Sequence, residues 1–167
     1  MKMDNVILIG MPGSGKTTIG TELAERIGYG YIDSDSVIVA REGMRLNELM
    51  DKLGRDGFLD VEAKVNSELC ASRCVIATGG SVIYRESAME KLKNLGKIVY
   101  LQLSYETIES RLGDLKARGV AIKEGNTLLD LYKERTPLYE KHADITVSLD
   151  GLSVLESAEK LKKAVEE

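Results

Sequence analysis

The chain alternates short apolar runs with stretches whose apolar residues recur every three or four positions. After Asn5, Val6-Ile7-Leu8-Ile9 is an unbroken apolar run stopped by Gly10, the pattern of a strand buried on both faces. Residues 16–27 then place Ile19, Leu23 and Ile27 four apart on one helix face, and Gly28 follows as a stop signal. Tyr29-Gly30-Tyr31-Ile32 reads as a second strand ending at Asp33-Ser34-Asp35. Two or three helices are predicted across 36–72, the last striped by Phe58, Val61, Val65 and Leu69. Cys74-Val75-Ile76-Ala77 is a third buried strand, closed by Thr78-Gly79-Gly80, and residues 97–101 and 144–147 give a fourth and fifth. Helices near 86–95, 104–115, 126–142 and 153–165 fill the intervals. Such alternation predicts βα units, right-handed crossovers and a parallel sheet, an α/β fold. Residues 114–126 break the pattern. There Lys116, Arg118 and Lys123 lie among Gly119 and Gly125, a basic, glycine-hinged insert expected to be mobile.

Composition narrows the function. The 167 residues suit one domain spanning 1–167, and 43% apolar with 30% charged residues describes a globular chain. No apolar run approaches the roughly 20 residues of a membrane span. Met1-Lys2-Met3-Asp4-Asn5 leads straight into a strand, so neither a membrane partner nor a signal peptide is expected. Two cysteines, Cys70 and Cys74, cannot build a disulfide framework or a four-ligand zinc site. They stand four apart near a helix end and read as core or near-core thiols, with the reduced cytoplasm as the expected location. The single histidine, His142, reads as structural or surface and argues against Ser-His-Asp chemistry or a multi-histidine metal centre. A net charge of −4 argues against a general nucleic-acid binder. An anionic ligand therefore needs a local cluster of positive groups. A monomer is the default.

That cluster is visible. Gly10-Met11-Pro12-Gly13-Ser14-Gly15-Lys16-Thr17 matches G-x-x-x-x-G-K-[ST] between a predicted strand and a predicted helix. Its glycines let backbone N–H groups turn toward phosphate oxygens, and the helix start adds its positive end. Lys16 is placed for the β- and γ-phosphates, and the Thr17 hydroxyl for Mg²⁺. Asp33 and Asp35 follow the second strand at its carboxyl end, where open α/β sheets bind ligands. One carboxylate suits the metal's surroundings and the other an acceptor hydroxyl; the alternative is that Asp33 or Ser34 only caps the next helix.

Taken together, Gly10–Thr17, Asp33-Ser34-Asp35, Gly79-Gly80, Arg118 and Arg135-Thr136-Pro137-Leu138-Tyr139 resemble the shikimate kinase family over nearly the whole chain. The resemblance implies a three-layer P-loop kinase fold with strand order 2-3-1-4-5 and a lid near 114–126. It implies acceptor-binding helices near 34–62 and ATP-dependent, Mg²⁺-dependent phosphorylation of a small hydroxy acid, shikimate. On that likeness Gly13, Ser14, Gly15, Lys16, Thr17 and Thr18 would bind ATP, with Arg111 against the adenine. Asp35 would hold and deprotonate the acceptor hydroxyl, and Asp33 would support Mg²⁺ through water. Gly79 and Gly80 would border the substrate, Gly80 through its backbone. Arg135 would grip the substrate carboxylate, and Arg118 would be the lid arginine that steadies the transferring group.

Each of these positions also has a plainer reading. Gly79-Gly80 is an ordinary strand-to-loop turn, and Arg135 or Arg111 a solvated surface arginine. Pro137 is expected to bend or perturb the helix that carries Arg135. The chain also departs from the family. Where Phe-Arg is usual it has Phe58-Leu59, which leaves Glu62 without its customary partner. Leu59 lies off the Phe58/Val61/Val65 stripe and is a candidate wall of the acceptor pocket, with Arg55 or Lys52 able to reach in instead. Ser81 and Gly119 stand where a third glycine and a proline are common, and the segment from Arg118 to Arg135 is somewhat short. Two other functions compete: a kinase of another polyol or hydroxy acid such as gluconate, and a P-loop switch with no acceptor.

Overall fold

The computed structural model describes residues 4–112, 120–121 and 123–167. Five strands, β1 (Asn5–Ile9), β2 (Gly30–Asp33), β3 (Cys74–Ala77), β4 (Gly96–Gln102) and β5 (Ile145–Ser148), form one parallel sheet in the order β2-β3-β1-β4-β5. The helices are α1 (Lys16–Ile27), α2 (Ser34–Glu42), α3 (Leu46–Ser67), α4 (Glu86–Leu95), α5 (Tyr105–Arg111), α6 (Leu128–His142) and α7 (Val154–Glu166). None of the described helices is long and apolar enough to cross a membrane.

The apolar runs sit where two-sided burial requires them. All five residues of β1 are buried, and it runs between β3 and β4 at the centre of the sheet. The chain leaves β1 toward β2 and β3, then crosses from β3 to β4 in the opposite direction. Right-handed crossovers therefore put α1 and α4 on opposite faces. The reversal opens a crevice beyond the carboxyl ends of β1 and β3, where ligands bind in such sheets. Ile7, Leu8, Ile76, Ile98 and Val99 are fully buried in the main core. A second cluster, Ile38, Leu49, Phe58, Leu59, Val65 and Ala121, lies under α2 and α3 beside that crevice.

Four expectations change in detail. α3 is broken at Gly54 (φ 73°, ψ 178°), so the Phe58 stripe belongs to its second half only. α5 ends at Arg111, shorter than its apolar pattern suggested. α6 runs through Pro137 as one helix. Cys70 is exposed and Cys74 half-buried, because α3 ends at Ser67 and the two thiols share no helix face. His142 is buried, with Nε2 3.8 Å from a Glu86 carboxylate oxygen, in keeping with a structural role.

One polar residue fastens the lower end of the sheet. Asn5 Nδ2 donates to the carbonyls of Ala71 (2.8 Å) and Leu95 (2.9 Å), and Asn5 Oδ1 accepts the Cys74 N–H (2.9 Å). The chain entering β3 and β4 is thus tied to the start of β1. Gly96 is registered opposite Asn5, and a Cβ there would overlap the Asn5 carbonyl. Gly96→Ala should therefore lower stability by about 1–3 kcal/mol or more, as overpacking against backbone does. A midpoint of chemical denaturation equal to the wild type's would show that this end of β4 relaxes freely.

Candidate active site

The phosphate loop follows from β1 and α1. Gly15 takes φ +91° at the N-cap of α1, a conformation glycine adopts without strain. Lys16, 9% exposed, folds back so that its Nζ donates to the carbonyls of Gly10 (2.6 Å) and Met11 (2.8 Å) and to Ser14 Oγ (3.4 Å). Burial pushes its ammonium down to about 8, against the opposing field of Asp35. A cavity of about 420 Å³ opens above Gly13, Lys16, Thr17 and Thr18, with Asp33 and Asp35 on its wall. A smaller one of about 170 Å³ continues past Ser14 and Thr18 between Arg111, Leu103 and Leu152. Arg111 Nη1 donates to the Gly13 carbonyl (3.2 Å), which joins the end of α5 to the loop. Leu103 and Leu152 carried no sequence signal for this wall, because they come from the chain after β4 and the turn before α7.

The second-strand carboxylates divide their labour. Asp33 Oδ1 accepts the N–H groups of Asp35 (2.9 Å) and Ser36 (3.3 Å) and so caps α2, and the residue stands on the wall of the nucleotide cavity. Asp35, in the first turn of α2, buries Oδ1 with no hydrogen-bond partner among the described residues. Burial, then the Asp33 charge, pushes its carboxyl up to about 6.

Two glycines give the acceptor site its shape. A Cβ on Gly79 would stand 2.7 Å from Asp35 Oδ1 and 2.6 Å from Glu62 Oε2. A Cβ on Gly80 would stand 2.8 Å from Arg135 Nη1 and 2.9 Å from Pro12 Cδ. Two carboxylates and a guanidinium thus crowd successive bare positions of one loop. Arg135 is 1% exposed; Nη2 donates to the Ala121 carbonyl (2.7 Å) and Nε to Tyr84 Oη (3.2 Å), with the guanidinium 5.3 Å from the Tyr84 ring centroid. One turn on, Tyr139 Oη donates to the Gly80 carbonyl (2.6 Å), and its ring stacks on Tyr100. The cavity these groups enclose is about 50 Å³, with Val120 and Ala121 on its far side.

The acceptor side corrects the expectation for Leu59. Helical spacing turns Phe58 and Glu62, four apart, to the pocket, and Leu59 one position further round. Leu59 is 1% exposed in the second apolar cluster and does not line the pocket; Phe58 does. Arg55 does not reach in either. Its guanidinium lies 4.9 Å from the Tyr84 centroid, near Asp56 and Glu134, and Lys52 is exposed. Glu62 has a partner after all, the Ser81 hydroxyl, which donates to Oε1 at 2.7 Å. Arg118 and most of the proposed lid lie outside the described residues.

A lysine-bearing phosphate loop, a carboxylate with an unpartnered oxygen and a buried arginine, set around one crevice of a parallel sheet, define a P-loop small-molecule phosphotransferase. Comparison with known proteins makes the class particular. The family model described as shikimate kinase matches residues 12–166. The shikimate kinase of Thermodesulfovibrio yellowstonii is 37% identical over 167 residues, 98% of this chain and 96% of that protein. That of Francisella tularensis subsp. holarctica is 36% identical over 158 residues, 92% of this chain and 90% of that protein. The structure of Acinetobacter baumannii shikimate kinase in complex with shikimate superposes with a TM-score of 0.90 at 34% identity, covering 98% of this chain and 93% of that one. A Sinorhizobium meliloti gluconokinase shares the fold more distantly, with a TM-score of 0.62 at 19% identity over 99% of this chain and 93% of that one. This chain belongs to the shikimate kinase family.

Tyr139 received no role from the sequence beyond its place in a motif, yet it is fully buried on the backbone of the acceptor loop. Tyr139→Phe leaves the Gly80 carbonyl without its donor, so stability should fall by about 1–3 kcal/mol. An unchanged denaturation midpoint would show that the phenol's hydroxyl is dispensable to the loop.

Proposed function

We propose that this chain transfers the γ-phosphoryl group of ATP to a hydroxyl of shikimate, forming 3-phosphoshikimate in aromatic amino acid biosynthesis. The observation that carries the reading is the buried, unpartnered Asp35 Oδ1, which stands one backbone residue from the Arg135 guanidinium. A base for a hydroxyl beside a fork for a carboxylate describes a hydroxy-acid acceptor. Membership in the family selects shikimate among such acids.

The roles follow. Gly13, Ser14, Gly15, Lys16, Thr17 and Thr18 receive the nucleotide phosphates, and Arg111 flanks the adenosine end. The acceptor oxygen attacks the γ-phosphorus in line as the bond to the β–γ bridging oxygen breaks; its proton passes to Asp35 and ADP departs. Lys16 exchanges the Gly10 and Met11 carbonyls for phosphate oxygens. Gly79 and Gly80 border the acceptor, and Arg135 orients its carboxylate. Arg118 is assigned to the transferring group on the family resemblance alone.

Thr17 and Asp33 suit Mg²⁺. The Thr17 residue is exposed at the nucleotide cavity and Asp33 keeps one oxygen outside its cap. Among the described residues there is no cluster of three His, Cys, Asp or Glu able to cage a metal, so the ion would be shared with nucleotide phosphates. When bound, Mg²⁺ neutralises charge on the β- and γ-oxygens.

ATP consumption measured without acceptor and with shikimate, gluconate and other hydroxy acids tests the reading. Turnover should require shikimate. A preference for gluconate would replace the acceptor, and acceptor-independent turnover would favour a nucleotide switch. Asp35→Asn should lower kcat by roughly 10²–10⁴-fold, the usual loss with a general base, and spare nucleotide binding. Lys16→Ala should abolish transfer in a folded protein. Wild-type turnover in either variant would overturn the corresponding role.

A further inference from the structure

Ser81 stands at the edge of the acceptor pocket, 6% exposed, and its hydroxyl donates to Glu62 Oε1 at 2.7 Å. Glu62 is 2% exposed on α3, and this is the hydrogen bond its carboxylate makes among the described residues. A buried carboxylate is costly unless it is paired and hydrogen-bonded. A single neutral donor, with no ion pair among the described residues, is thin support if Glu62 were there for stability. Its second oxygen gives the reason. Oε2 and Asp35 Oδ1 both lie within 2.7 Å of one point, the place a Gly79 Cβ would occupy. Two carboxylate oxygens on one bare backbone position make a matched pair of hydrogen-bond acceptors. A substrate with adjacent hydroxyls can satisfy both: one hydroxyl gives its proton to Asp35 and its neighbour donates to Glu62.

We propose that Ser81 is a positioning residue for the acceptor, whose hydroxyl fixes Glu62 so that Oε2 receives the substrate hydroxyl next to the one that is phosphorylated. The proposal rests on the hydroxy-acid reading of the site and goes beyond it by selecting acceptors with adjacent hydroxyls. It also explains how the chain dispenses with an arginine at position 59. The donor that holds Glu62 comes from the loop after β3 and not from α3.

The charges around Glu62 are few. Asp35 faces it from α2, Arg135 from α6 and Lys16 from α1. Arg85, beyond the 3₁₀ turn Val82–Tyr84, pairs instead with Asp60 and Asp56 on the exposed side. The charged residues of α4, Glu86, Glu90, Lys91 and Lys93, are exposed. Burial pushes the Glu62 carboxyl up to about 7, with the Ser81 hydrogen bond as the main opposing influence. Removing the hydroxyl therefore raises it further.

The test pairs a titration with a mutant cycle. In protein carrying ¹³C-labelled glutamate and no ligand, Glu62 should titrate near neutrality, and Ser81→Ala should move its midpoint upward. Ser81→Thr, which keeps the hydroxyl, should restore it. With ATP and shikimate, Ser81→Ala should raise the shikimate KM roughly tenfold, the loss expected when a hydrogen bond to a charged group goes, with little change in kcat or in the KM for ATP. Glu62→Gln should raise the same KM, and adding Ser81→Ala should then change nothing further. An unmoved Glu62 midpoint, or losses that add in the double variant, would overturn the proposal. A shifted midpoint in a protein that does not turn over shikimate would keep the Ser81–Glu62 pair and reject the acceptor.

Discussion

Four ionisable side chains, the buried Lys16, Glu62 and Arg135 and the half-buried Asp35, surround two adjacent glycines, and the rest of the site answers to that constraint. Charges removed from water must find partners nearby or change protonation state. Here they do both. Lys16 rests on loop carbonyls, Arg135 on Ala121 and Tyr84, and Glu62 on Ser81. Burial draws the ammonium and the two carboxyls toward neutrality from opposite sides. No side chain could share the space at Gly79 and Gly80, where acid and arginine groups approach closer than a Cβ permits. The bare backbone is what lets the Asp35 and Glu62 carboxylates and the Arg135 guanidinium sit side by side.

The scaffold supplies this arrangement from separate layers. β1 and α1 deliver Lys16, the end of β2 delivers Asp33 and Asp35, β3 ends at the two glycines, and α6 brings Arg135 and Tyr139 four residues apart on one face. The strand reversal at β1 brings the first three together. Tyr139 then joins α6 to the glycine loop, so the helix that carries the arginine is bonded to the backbone the arginine faces.

Local signals explain what the sequence made legible. The strands of a buried parallel sheet are continuous apolar runs, and the phosphate loop is a contiguous motif, so both could be read residue by residue. Asp33 and Asp35 were legible because a strand end points at ligand. The 52–62 region was not. Its facing depends on the break at Gly54, which resets the helix before Phe58, and apolar spacing does not say which side meets a pocket. Leu59 therefore looked like a pocket wall although it packs with Ile38 and Leu49, and Phe58, read as part of the apolar stripe, is core and also lines the pocket. Ser81 read as a missing glycine. Its partner lies nineteen residues earlier on another element, a contact no local pattern encodes.

The two cations share a further property. In this structure both Lys16 and Arg135 donate to backbone carbonyls, neutral acceptors already inside the site. To take a phosphate or a carboxylate, each exchanges a carbonyl oxygen for an anionic one. Both bonds are already charge-assisted, because their donors are cations; an incoming anionic oxygen adds the attraction between opposite charges that a neutral carbonyl lacks. A neutral polyol would gain nothing over Ala121 at Arg135. Burying the guanidinium on a carbonyl thus turns a strong cation into a discriminator. At this position of the site an anionic group is therefore favoured over a neutral one.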